Sequence, residues 1–186
     1  MSRIAVSSIS TRLRATFTNS WFIALLTFVL ISVYMNRDLL GRGVPAPDFR
    51  LTDLAGKEVR LEDYAGKSLA LYFWASWCGV CKTNLPLLNW EYGDYESDDF
   101  AFVTVLTDAE HLHKIRPWIR ENEIRMPVLL AGSKVAERLI EDYKVTRFPT
   151  TYFVSDEGKI VTSDSGLLTP MGIWLRRLLV GVIGLF

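Results

Sequence analysis

The chain has 186 residues, 49% hydrophobic and 23% charged, with 21 basic against 21 acidic side chains. That length favours one domain with additions, and that composition excludes a disordered chain. The zero formal charge gives no electrostatic footprint for nucleic acid. The balance is uneven, however: residues 1–36 hold Arg3, Arg12 and Arg14 and no acid, leaving 18 basic and 21 acidic residues in the remainder.

Phe17 to Met35, FTNSWFIALLTFVLISVYM, is a run of 19 residues without a charge. At about 1.5 Å per residue, a helix of that length nearly crosses a hydrocarbon core of roughly 30 Å. Trp21 and Tyr34 stand near its ends, where amphipathic rings prefer the headgroup level. Three arginines precede the run, whereas Arg37 and Arg42 follow it with Asp38 between them. The positive-inside bias assigns residues 1–16 to a cytoplasmic tail, 17–35 to a single-pass anchor and the rest to the extracytoplasmic side. A cleaved signal peptide is the alternative, but Ser32-Val33-Tyr34-Met35-Asn36 is a poor cleavage pattern. Residues 36–47 read as a linker stiffened by Pro45 and Pro47, and residues 48–186 as the folded domain.

Within that domain, Phe49 to Leu61 alternates around Ala55-Gly56-Lys57 and predicts a β-hairpin. Ser68 to Ala75 is a nearly continuous apolar run, as expected of a central strand covered on both faces. A helix is predicted from near Cys78 to about Tyr92, kinked by Pro86. Phe100 to Leu106 reads as a second buried strand. Thr107-Asp108-Ala109-Glu110 reads as a capping box before Leu112, Ile115 and Ile119 at helical spacing. Met126 to Ala131 is a short strand, Ser133 to Tyr143 a helix and Thr150 to Val154 a strand. A turn at 156–159 leads to Ile160-Val161. Thr169 caps a last helix with Pro170 in its first position. The alternation specifies an α/β fold, a mixed sheet flanked by helices.

The chain has two cysteines, Cys78 and Cys81. A disulfide-stapled secreted domain needs more of them at wider spacing, so the pair is either a redox centre or half of a metal site. It follows the central strand and opens a helix, where unpaired N–H groups and the positive dipole end stabilise a thiolate. Cys78 is therefore the expected nucleophile, with Cys81 one turn on to resolve a mixed disulfide. Gly79 admits a partner chain, and Val80 tunes the potential. A zinc site needs two further ligands, and the chain offers only His111 and His113, which a helix points to different faces. Farther along, Phe148-Pro149 stands just before a strand. It is either an ordinary strand-start proline or a cis-proline whose loop faces the cysteines and pairs with substrate backbone.

FWASWCGVCK, RFPTTYFV with the following SDEGKI, and the opening PAPDFRLTDLAGKEVRLEDYAGK resemble the thioredoxin-fold proteins of the TlpA/ResA-like group. That group includes membrane-tethered proteins of suppressor-of-copper-sensitivity and cytochrome c maturation type. The resemblance covers roughly residues 45–175 and implies a thioredoxin fold with an N-terminal hairpin and a central insertion between Leu106 and Val145. It implies an oxidoreductase on the periplasmic side of the inner membrane that exchanges dithiol and disulfide with protein substrates. No cofactor is implied beyond the redox-active pair. Carried over, Cys78 is the nucleophile, Cys81 the resolving thiol and Pro149 the cis-proline, with Trp74 and Trp77 packed around them; Phe148, Trp77, Gly79 and Val80 complete the substrate-binding surface. Reduction is the implied direction, fed by a membrane thiol-electron transporter.

Two positions depart from the pattern. Tyr72 stands where thioredoxin has a buried acid, and Asn84 where many TlpA-like members have a glutamate. The proton route is left to water, Lys82, or Glu62 and Asp63, and the departures favour the copper-sensitivity branch. A second function class is a Cu(I) metallochaperone using both thiolates, with His111 or His113 as a helper. Copper chaperones of this fold have a wider cysteine spacing and a more distant histidine. The opening hairpin also resembles peroxiredoxins, but Ala75 stands where a peroxidatic cysteine wants a threonine. The apolar end from Gly172 to Phe186 reads as the last fold helix. Alternatively it lies on a membrane with Arg176 and Arg177 towards headgroups.

Overall fold

The structure, a computed structural model, describes residues 22–27, 30, 43–90, 92–95 and 97–183. The chain divides into two compact units, Met1–Arg37 and Asp38–Phe186. In the first, residues 22–27 are helical and Phe22, Ile23, Leu25 and Leu26 are exposed. Among the described residues no helix is long and apolar enough to cross a membrane; most of the 17–35 segment lies outside them.

The second unit is a seven-stranded mixed sheet in the order β2-β1-β5-β4-β3-β6-β7. Its strands are β1 (Arg50–Asp53), β2 (Glu58–Arg60), β3 (Ser68–Trp74), β4 (Phe100–Leu106), β5 (Val128–Leu130), β6 (Thr150–Val154) and β7 (Ile160–Ser165). The helices are α1 (Gly79–Trp90), α2 (Tyr92–Tyr95), α3 (Leu112–Glu121), α4 (Ser133–Asp142) and α5 (Pro170–Ile183), with 3-10 turns at Leu61–Tyr64 and Ala109–His111. The expected α/β class and nearly all expected elements are present.

β3 is central, and every position after Ser68 is buried. It pairs in parallel with β4, Ser68 opposite Phe100 through Trp74 opposite Leu106. On its other side it pairs antiparallel with β6, with Phe73 opposite Thr150. Its alternate side chains feed two cores. Ala70, Tyr72 and Trp74 pack with Leu85 and Leu88 of α1, Ile115 and Ile119 of α3 and Ile173 of α5. Leu69, Leu71 and Phe73 pack with Ala136 and Leu139 of α4, and with Tyr143, Phe49 and Leu51. Two covered faces explain the uninterrupted apolar run.

The hairpin turns as the sequence suggests. Asp53 Oδ1 accepts the N–H groups of Ala55 and Lys57 at 2.8 and 2.9 Å, and Gly56 takes φ 85°, a left-handed conformation that glycine adopts without steric cost. Three readings differ. The first helix spans Gly79–Trp90, with the short α2 at Tyr92–Tyr95 beyond it. The last strand runs to Ser165 rather than Val161. The linker is shorter than read: Gly43 N–H donates to Ile160 O, Ile160 N–H to Val44 O and Ala46 N–H to Gly158 O, each at 2.8 Å. From Gly43 onward the chain is therefore held along the β6–β7 turn.

Tyr143 donates its hydroxyl to Pro47 O at 2.7 Å and packs against Phe73 and Tyr152. Burial pushes the phenols of Tyr72 and Tyr143 well above the ordinary value of 10.0, with Asp48 adding to the effect on Tyr143. In the unfolded chain both ionise at the ordinary value, so their contribution is complete below about pH 10 and is lost as pH rises beyond it. Urea midpoints are expected to hold steady from about pH 7 to 9 and to fall above about pH 10. The Tyr72→Phe/Tyr143→Phe pair should flatten that fall, and an unchanged slope would refute the assignment.

Candidate active site

β3 ends at Trp74, and the next four residues turn the chain into α1. Cys78 N–H closes this turn on Ala75 O at 3.0 Å. Cys78 and Cys81 are joined in a disulfide with Cα atoms 5.3 Å apart. The two sulfurs differ in setting: Cys78 keeps 6% of its surface and Cys81 none. The N–H of Cys81, in the first turn of α1, donates to Cys78 Sγ at 3.1 Å. The helix start thus directs a backbone donor at the outer sulfur.

The rim comes from two loops. Trp77 is 71% exposed and meets Phe148 edge-on at 5.7 Å between ring centroids. Phe148-Pro149 is a cis peptide, immediately before β6. Since Phe73 pairs with Thr150, this loop stands at the same sheet end as the cysteine turn. Gly79 and Val80 are exposed beside the disulfide, and nothing lies within 4 Å of where a Gly79 Cβ would be. Cys78, Cys81, Trp77, Gly79, Val80, Phe148 and Pro149 thus gather at one end of the sheet. Trp74 lies beneath them, fully buried, tilted against Trp118 at 6.2 Å.

What holds this turn was not read from the sequence. Thr107 and Asp108 follow β4, the parallel neighbour of β3, and so lie beside the residues that follow Trp74. Thr107 donates its N–H and its hydroxyl to Trp74 O at 2.9 and 3.0 Å. Asp108 accepts the Ser76 N–H at 2.8 Å with one oxygen and the Ser76 hydroxyl with the other. The expected capping box is therefore not formed. Asp108 leaves the Ala109–His111 turn without a side-chain cap, and α3 begins at Leu112 without one. The Thr107 hydroxyl that would cap is taken by the buried Trp74 O, and the Asp108 carboxylate by Ser76. The strand pairing was the clue, because two parallel neighbours end together.

The two departures from the family pattern form one unit. Tyr72 donates to Asn84 Oδ1 at 3.4 Å, Asn84 Nδ2 donates to Leu168 O at 2.7 Å, and Leu168 N–H returns to Asn84 Oδ1 at 3.0 Å. A side-chain amide can both donate and accept here, whereas a carboxylate can only accept. Glu62 and Asp63 are not near the disulfide. They bind Arg60, and Glu62 lines a cavity of about 300 Å³ with Lys67, Leu69 and Val154, at the opposite end of β3. His111 lies 3.6 Å from Asp108, whereas His113 is exposed on α3. Among the described residues no three His, Cys, Asp or Glu side chains gather into a metal-holding group.

The sequence profile of the AhpC/TSA family matches residues 42–163, about two thirds of the chain. The protein belongs to the AhpC/TSA family. It is similar to the thiol-disulfide oxidoreductase ResA of Bacillus subtilis, 28% identical over 138 residues that cover 74% of this chain and 75% of the relative. It is 31% identical over 143 residues to the thioredoxin-like protein YneN of the same organism, covering 75% and 81%. Among solved structures, a putative thiol:disulfide interchange protein DsbE from Chlorobium tepidum superposes with TM-score 0.65 at 28% identity, covering 75% of this chain and 96% of that one. The thioredoxin domain of a thiol-disulfide oxidoreductase from Bacteroides vulgatus gives 0.66 at 27%, covering 74% and 95%. With the cysteine pair at CxxC spacing and the sheet described above, the family member is a ResA-like thiol-disulfide oxidoreductase of thioredoxin fold.

Asp108 supports the site through Ser76, and its replacement separates the two bonds. Asp108→Asn leaves a single acceptor for two donors and is expected to destabilise the oxidised protein by about 1–3 kcal/mol. Ser76→Ala keeps the backbone bond and should cost less, about 1 kcal/mol. Denaturant unfolding checks this; the reverse order would sink the assignment.

Proposed function

We propose that this oxidoreductase works outside the cytoplasm, held to the inner membrane by residues 17–35, as a reductant of protein disulfides. The observation that carries the catalytic assignment is the unequal setting of the two sulfurs: the edge of Cys78 is open, Cys81 is covered, and the Cys81 N–H is aimed at Cys78 Sγ. In the reduced protein that donor and the helix start favour the Cys78 thiolate.

The thiolate of Cys78 attacks one sulfur of a substrate disulfide. A mixed disulfide forms and the other substrate sulfur leaves as a thiolate that takes up a proton. Cys81 then loses its proton and attacks Cys78 Sγ, forming the bond present in the structure and releasing the second substrate thiol. The substrate gains two electrons and the pair loses two. A dithiol partner, a membrane thiol-electron transporter, restores the reduced pair by the reverse exchange. Substrate backbone lies across Phe148 and Pro149, with Trp77, Gly79 and Val80 as its apolar rim. The exposure of these residues around the one accessible sulfur supports that reading.

Single substitutions test the roles. Cys81→Ser should accumulate mixed disulfides with substrate, and Cys78→Ser should form none. Alkylation of reduced Cys78 should persist well below about pH 8.5, the free-thiol value, with Cys81 protected; equal reactivity of the two thiols counts against the assignment. A reduction potential near −270 mV, roughly that of thioredoxin, supports a reductant, and one near about −120 mV reverses the direction.

A further inference from the structure

Helix α5 is turned inside out. Over residues 170–178 every exposed side chain is apolar: Met171, Trp174, Leu175 and Leu178 at i, i+3, i+4 and i+7, a single stripe. Met171 is 79% exposed and Trp174 61%. Both charges of the helix turn the other way, to acids on the domain's own surface. Arg176 forms a two-pronged pair with Asp164 and lies over the Phe153 ring at 5.8 Å. Arg177 pairs with Asp99 at 3.0 Å, bonds Ser97 and lies over Phe100 at 5.5 Å. The arginines are therefore fastenings of the helix, not headgroup contacts as the sequence allowed. The chain that follows Arg177, LLVGVIGLF, has no polar side chain.

The direction of α5 adds a second observation. Its approach starts at the disulfide end of the sheet, where Gly166 N–H bonds Pro149 O at 2.8 Å. By Arg177 it has reached Asp99 and Phe100, at the start of β4 and thus at the opposite end. The remaining six residues to Ile183 carry it roughly 9 Å farther. The domain receives its N-terminal chain at that same end: Gly43 and Val44 bond Ile160, beside Val154 and, through it, Leu69 at the start of β3. Only residues 36–42 separate Gly43 from the uncharged run ending at Met35, so its end is at most about 25 Å of chain away.

We propose that α5 is a second membrane contact: its apolar stripe and C-terminal end dock into the lipid bilayer that residues 17–35 span. This rests on the anchored reading above. With both arginines paired to the domain's own acids, the contact is apolar and independent of lipid charge. It sets the disulfide at the end of the domain away from the bilayer.

The test uses the full chain in phosphatidylcholine vesicles, with a protease site inserted within residues 36–42. Flotation of the uncleaved Leu175→Glu/Leu178→Glu chain tests the N-terminal segment alone; failure to float removes the anchor reading. Cleavage then tests α5. Continued flotation of the freed domain, lost about tenfold or more in Leu175→Glu/Leu178→Glu with unchanged disulfide exchange in solution, is the expected result. Release of the wild-type domain from vesicles that still hold the uncleaved chain overturns the proposal. So does retention only when anionic lipid is present, or self-association of the freed domain, without vesicles, that the same substitutions abolish.

Discussion

The parallel pairing of β3 with β4 is the constraint on which the redox site depends. Because Trp74 stands opposite Leu106, the residues after each strand emerge side by side. The polar pair Thr107-Asp108 is thereby delivered to the turn that carries Cys78. Four hydrogen bonds from that pair hold Trp74 O and both donors of Ser76. The turn is thus tied on the side away from solvent, while its other side presents Trp77 and the edge of Cys78.

Below the disulfide the protein uses neutral polar groups where relatives of this fold place acids. Tyr72, Asn84 and the backbone of Leu168 satisfy one another. Burial keeps the phenol protonated, and the amide carries no charge to desolvate. The arrangement also fastens the loop before α5 to the helix that bears Cys81. A carboxylate at position 84 would lack the donor for Leu168 O, so residue 84 and the docking of the C-terminal helix are linked choices.

The sequence made local features legible where one periodicity dominated. The apolar run of β3, the Asp53–Lys57 turn, the Thr169 cap, which bonds Gly172 N–H at 3.1 Å, and the cysteine pair all follow from neighbours in the chain. Features that depend on register across strands were hidden. Thr107 has the spacing of a cap, and only the pairing of β3 with β4 shows that its hydroxyl goes to Trp74 O instead. Arg176 and Arg177 interrupt an apolar tail and could be read as facing headgroups, yet Asp164 and Asp99, far apart in sequence, pair with them. Residues 43–47 have a linker's composition, and their bonds to Gly158 and Ile160 come from a strand more than a hundred residues later.

Those last bonds have a mechanical consequence. The N-terminal chain joins the domain through hydrogen bonds to the β6–β7 turn, and Tyr143 grips the following Pro47 carbonyl. A pull on the chain before Gly43 would load these bonds first, at the end of the sheet opposite the turn around Cys78.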